Sequence, residues 1–163
     1  ASVAEACALI SAIAGVEIEQ RFAVTGAIDQ HGRVQAVGGV NEKIEGFFDI
    51  CQARGGVKGH AVLLPATNVV HLMLRRDVRD AMAVGDFQVY AIEQLDQALA
   101  LLTGMTPGER DANGAYPAGT LNARVVERLD AFHQAAKRRG DKSNGKQEEN
   151  GNQNGDKERD DAP

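Results

Sequence analysis

Phe22-Ala23-Val24-Thr25-Gly26-Ala27-Ile28 and Arg33-Val34-Gln35-Ala36-Val37, followed at once by Gly38-Gly39-Val40-Asn41-Glu42-Lys43, form the stretch whose reading decides the fold. Both runs favour extended backbone, and Asp29-Gln30-His31-Gly32 between them carries turn residues, so a hairpin is expected. Gly38-Gly39 breaks the second strand. Asn41 is then a candidate cap for a helix through Glu42, Lys43, Ile44, Phe47, Phe48 and Cys51 that ends near Gly55-Gly56, which puts Lys43 in its first turn.

Toward the N-terminus, Val3, Cys7, Ile10 and Ala14 recur at helical spacing, with alanines between them and Gly15 as a C-cap candidate. Toward the C-terminus, Ala61-Val62-Leu63-Leu64 before Pro65 reads as a buried strand and Asp77 to Val84 as a short helix. Phe87 to Ile92 reads as another strand, and Leu95 to Leu102 as a helix closed by Gly104. This alternation predicts parallel strands joined by crossover helices. The expected class is α+β, a mixed sheet packed by helices over residues 1–104. Residues 105–119, rich in Gly, Pro, Asp and Asn, read as a linker, and a helix over 120–139 presents Val125, Val126, Leu129 and Phe132. Residues 140–163 hold no Val, Ile, Leu, Met or aromatic residue and are expected to be a disordered polar tail.

Bulk properties exclude several partners. A chain of 163 residues with 43% apolar content supports one core. A net charge of −5, with basic residues scattered among acids, speaks against nucleic acid. No segment approaches the ~18–20 apolar residues that span a bilayer, so a membrane is not an expected partner and the location expected is cytoplasmic. Cys7 and Cys51 sit in apolar helical patterns and read as buried thiols rather than a disulfide. His31, His60, His71 and His133 are dispersed, each read as a surface or turn residue, and no metal site is expected. No phosphate-binding loop is present. The chain begins at Ala1 inside a helical pattern, without methionine, and is expected to be a fragment.

The chemistry concentrates at Gly38 to Lys43. Two glycines permit close backbone approach, and a lysine at a helix start meets the positive end of the helix dipole, which disfavours its ammonium form. Partial burial would act in the same direction, toward an amine able to take a proton from a serine hydroxyl. An exposed lysine on a solvated helix face is the plain alternative.

Taken in order, the N-terminal helix, Thr25-Gly26, the hairpin and Gly38-Gly39-Val40-Asn41-Glu42-Lys43 resemble the core of the Lon protease domain, whose catalytic lysine ends a Gly-Gly-x-x-Glu-Lys motif. Asn41 and Ile44-Glu45-Gly46-Phe47-Phe48 are similar to the bacterial Lon-like branch. The resemblance covers residues 1 to 104. It implies that Lys43 is the general base of a Ser-Lys dyad and that Thr25 is the active-site threonine beside it, where β-propensity alone would make Thr25 an ordinary strand residue. It also puts the nucleophilic serine one position before Ala1. Ser2 is two places late, which on a helix turns a side chain about 200° away, so Ser2 is read as an early-helix residue.

The implied parent is an ATP-dependent serine endopeptidase that degrades unfolded or damaged proteins as a hexameric homo-oligomer. Its ATP and Mg would bind in a region absent from this chain, which itself carries no cofactor, and the chain alone is expected to be inactive. The alternatives are a non-catalytic assembly module that retains the protease fold and, with only the fold pattern behind it, a small-molecule enzyme on an α/β scaffold.

Overall fold

Strand and helix alternate as their periodicities require, and a computed structural model, which describes residues 2–151, joins the longer strands into a parallel sheet. The elements are α1 (Val3–Ala14), β1 (Phe22–Val24), β2 (Ala27–Ile28), β3 (Val34–Gln35) and α2 (Val40–Ala53). After them come β4 (His60–Pro65), a 3-10 helix (Ala66–His71), α3 (Arg76–Ala83), β5 (Phe87–Ile92), α4 (Leu95–Thr103) and α5 (Leu121–Gly151). The sheet order is β1-β4-β5, parallel throughout, with Phe22 opposite Ala61 and Leu63 opposite Tyr90. The antiparallel strands form a separate ribbon, β2 with β3, with single antiparallel bridges from it and its flank to Ser2 (at Ala27) and Gln94 (at Arg33).

β4 is the central strand, and Ala61 to Pro65 are all buried, which explains its unbroken apolar run. Its side chains alternate between two apolar layers. Leu63 packs with Val3 and Cys7 of α1, Ile92 of β5, and Leu99 and Leu102 of α4. Val62 and Leu64 pack with Ile44, Phe48 and Cys51 of α2, Val78 of α3 and Phe87 of β5, where the Phe48 and Phe87 rings meet edge to face at 5.3 Å. Cys7 and Cys51 therefore lie in different layers, as free buried thiols. Burial pushes the Cys7 thiol up to about 11.

Two sequence expectations are corrected. The run from Phe22 to Ile28 is not one hairpin strand: β1 joins β4, while only β2, after Thr25-Gly26, pairs with β3. Gly26 makes this switch at φ 152°, and its carbonyl accepts the Val3 N–H at 3.0 Å, which brings the start of α1 against the crossing. Asn41 is not the cap of α2. Gly39 occupies that place with φ 68°, a conformation that favours glycine, and frees the Asn41 side chain for other bonds. The last helix, α5, runs from Leu121 to Gly151. The remainder of the expected tail, 152–163, lies outside the described residues.

The chain divides into two compact units, residues 1–125 and 126–163. In the first, Leu121 at the start of α5 is buried. In the second, Val126, Leu129 and Phe132 are exposed. No described helix is long and apolar enough to cross a membrane.

α1 is set by its ends. The Ser2 hydroxyl accepts the Glu5 N–H at 3.2 Å while the Glu5 carboxylate accepts the Ser2 N–H at 3.1 Å, a reciprocal capping box, and Gly15 closes the helix in the left-handed conformation.

Two outcomes are expected. A Cβ at position 26 would lie 3.0 Å from Val3 Cγ2, 3.2 Å from Val34 Cγ1 and 3.4 Å from Pro65 Cγ, on a backbone that L residues rarely adopt. Gly26→Ala should therefore destabilise the fold by about 1–3 kcal/mol in urea unfolding, and an unchanged midpoint would contradict this packing. The Ser2 backbone N–H, then its hydroxyl, hold the Glu5 carboxyl below its ordinary 4.5. A lowered carboxyl stabilises above its unfolded value and loses that effect as pH falls through its folded value. The stability gap between the wild type and Glu5→Gln should thus be full above pH 4.5 and shrink below it; a gap that is constant with pH would show that the carboxylate is not engaged.

Candidate functional site

Where β1 ends, the chain has to leave the parallel sheet, and the switch at Thr25-Gly26 opens a cavity of about 310 Å³. Thr25 is still anchored to the sheet through its N–H, which donates to the Leu63 carbonyl at 2.9 Å. The lining comes from four segments: Ser2 and Ala4 from the start of α1, Val24 to Ala27 from the crossing, Val37 after β3, and Lys43 from the first turn of α2. Thr25 and Lys43, far apart in sequence, thus share one cavity.

Each side chain reaches the cavity for a local reason. α2 buries Val40, Ile44, Phe48 and Cys51, one stripe of the helix, and Lys43 sits one residue off that stripe. It is consequently exposed at the cavity, as in the plain alternative that the sequence left open. Its N–H closes the first turn of the helix on the Gly39 carbonyl at 3.1 Å. Among the described residues no ion pair engages its ammonium. Ser2 also faces the cavity, but its hydroxyl is committed to capping α1.

Ser2 and Ala4 bring the start of α1 to the cavity, where the N–H groups of Ser2, Val3 and Glu5 are already bonded, to the Glu5 carboxylate, the Gly26 carbonyl and the Ser2 hydroxyl. At Val37 the wall is held by a side-chain amide rather than by a strand: the Val37 N–H donates to Asn68 Oδ1 and the Val37 carbonyl accepts from Asn68 Nδ2, both at 3.0 Å. Asn68 was not singled out from the sequence. It lies after the buried strand and Pro65, in a stretch to which the sequence assigned no element, and only the fold brings it to Val37.

Larger clefts exist, including one of about 460 Å³ lined by Arg33, Val34, Ala66, Thr67, Ile92, Glu93 and Gln94. That cleft contains neither the threonine nor the lysine, so chemistry, not size, singles out the smaller one. No group of His, Cys, Asp and Glu among the described residues could hold a metal ion. Of the histidines, His60 departs from a surface reading: it is half-buried at the start of β4, with Nδ1 unpartnered and its ring edge-on to Phe47 at 6.1 Å.

The chain is similar to known proteins across this same region. The family model for the Lon protease (S16) C-terminal proteolytic domain matches residues 1–103. A Lon protease homolog of Escherichia coli (strain K12) is 49% identical over 105 residues, 64% of this chain and 18% of that protein. One of Haemophilus influenzae Rd is 48% identical over 130 residues, 80% of this chain and 22% of that protein. An archaeal Lon protease of Methanocaldococcus jannaschii is 32% identical over 102 residues, 63% of this chain and 13% of that protein. The chain spans about a fifth of the length of the two bacterial relatives.

Proposed function

Because the chain belongs to the Lon protease family, through its C-terminal proteolytic domain, we propose that it is the proteolytic part of an ATP-dependent serine endopeptidase working by a Ser-Lys dyad. Lys43 is the general base, Thr25 supports it, and the nucleophile is a serine of the longer protein, one position before Ala1. The observation that carries this reading is the cavity where Lys43 and Thr25 meet beside the start of α1.

In this mechanism the amine of Lys43 takes the serine hydroxyl proton as the oxygen attacks a peptide carbonyl. The tetrahedral oxyanion is stabilised by backbone amides near the serine. Collapse expels the amine leaving group, which takes the proton from Lys43, and leaves an acyl-enzyme that water hydrolyses. ATP hydrolysis belongs to a region outside residues 1–163, and the substrates are unfolded or damaged proteins handled in a hexameric ring. The exposure of Lys43 in this chain favours one other reading, a non-catalytic assembly module that keeps the fold.

A version of the protein that continues upstream through the serine decides between them. It is expected to cleave a fluorogenic peptide and an unfolded protein, Lys43→Ala to lose about 10²–10⁴-fold in kcat, and the 163-residue chain to be inert. A Lys43→Ala variant as active as the wild type would remove the base and bring the assembly module forward.

A further inference from the structure

We propose that Asn68, assisted by Asn41, is the positioning residue for the catalytic lysine: its side-chain amide acts as a substitute strand that fixes the segment leading into α2. This rests on the reading of Lys43 as general base. Among the described residues Asn68 and Thr120 are the buried polar or charged ones, with Asn68 only 4% exposed. A buried amide is retained where its bonds are made, and those of Asn68 are spent on one residue. The N–H and carbonyl of Val37 lie just beyond the last ladder pair of β3, where backbone groups need partners. Asn68 supplies both, an acceptor and a donor at 3.0 Å each, as a neighbouring strand would.

The place of this grip gives it a role beyond packing. Val37 lines the cavity, and between it and α2 lie only Gly38 and Gly39, the two most flexible residues the chain could put there. Without an anchor upstream of them, the first turn of α2 could pivot. Asn41 grips in the other direction: from that turn its Nδ2 donates to the His71 carbonyl at 3.1 Å and its Oδ1 accepts the Met73 N–H at 2.8 Å. Asn68 stands in the 3-10 helix that ends at His71, directly after the central strand. Four hydrogen bonds therefore tie both sides of the glycine pair to the segment Asn68 to Met73 that follows the central strand, and Lys43, two residues after Asn41, inherits that position. Displacing a reacting group by about 1 Å can cost 10²-fold in rate, so the anchor is read in kcat.

The test uses Asn68→Ala and Asn68→Asp in the protein extended through the serine. Aspartate keeps the size of asparagine, but when ionised it offers only acceptors and leaves the Val37 carbonyl without its donor; when protonated it offers an O–H again. Both variants are expected to stay folded at the assay temperature and lose about 10- to 100-fold in kcat near neutral pH, with KM changed by less than about threefold. As pH falls, the activity of Asn68→Asp relative to Asn68→Ala should rise. His71 on the 3-10 helix, Glu42, Lys43 and Glu45 on α2 and Arg33 beside β3 also titrate or carry charge here, but they are common to both variants and leave this ratio. In amide exchange on the 163-residue chain, Val37 and Lys43 should lose protection in Asn68→Ala while Leu63 keeps its own. A folded Asn68→Ala with undiminished kcat, or one whose loss only follows its unfolded fraction, would overturn the proposal. If the extended wild type cleaves nothing, the protease reading fails separately, and exchange decides the anchor: selective loss at Val37 and Lys43 upholds it, and unchanged protection refutes it.

Discussion

The close approach at Gly26 is the constraint on which the arrangement depends. A backbone without a side chain lets the Val3 N–H reach the Gly26 carbonyl and lets Val34 and Pro65 close in from the ribbon and the central strand. Four parts of the chain meet there: the start of α1, the end of β1, the ribbon and the end of β4. The cavity with Thr25 and Lys43 is the space that this junction leaves open. A larger residue at the junction would press on the core and the site together.

A division of labour follows. The two apolar layers on either face of β4 supply stability and hold no titratable group of the proposed dyad; Cys7 and Cys51, buried among hydrocarbon in separate layers, behave as small apolar residues. The site lies at the ends of elements, where backbone groups lack ladder partners and must be satisfied by caps and side-chain amides. Ser2 with Glu5, Asn68 with Val37, and Asn41 with His71 and Met73 are three solutions to that one problem.

Much of the fold was legible because its signals are local. The period of α1, the apolar run of β4, the strand Phe87–Ile92 and the glycine after α4 each follow from neighbouring residues, and the structure places these elements within a residue or two of the expected limits. The site was legible in part: Lys43 was expected in a first helical turn, which is where it lies, and Thr25 shares its cavity. The rest depends on distant contacts. Nothing within Phe22 to Ile28 says that half of it pairs with residues near Ala61 and half with Val34. Asn41 has the composition of a cap, yet Gly39 takes that role because its positive φ turns the chain sharply into the helix. The exposure of Lys43 depends on which stripe of α2 is buried, a tertiary choice.

The split strand also bears on how the molecule is built in time. β2 and β3 are joined by a short turn and can pair as soon as both exist, a step of microseconds in isolated hairpins. β1 has no strand partner until β4 has been made, with the ribbon and all of α2 in between, and parallel pairing across such a separation is intrinsically slow. During synthesis the ribbon would therefore form first and wait beside an unpaired β1. Only the arrival of β4, with Asn68 immediately behind it, joins the sheet and completes the cavity wall, so the cavity closes only after every segment that lines it has been made.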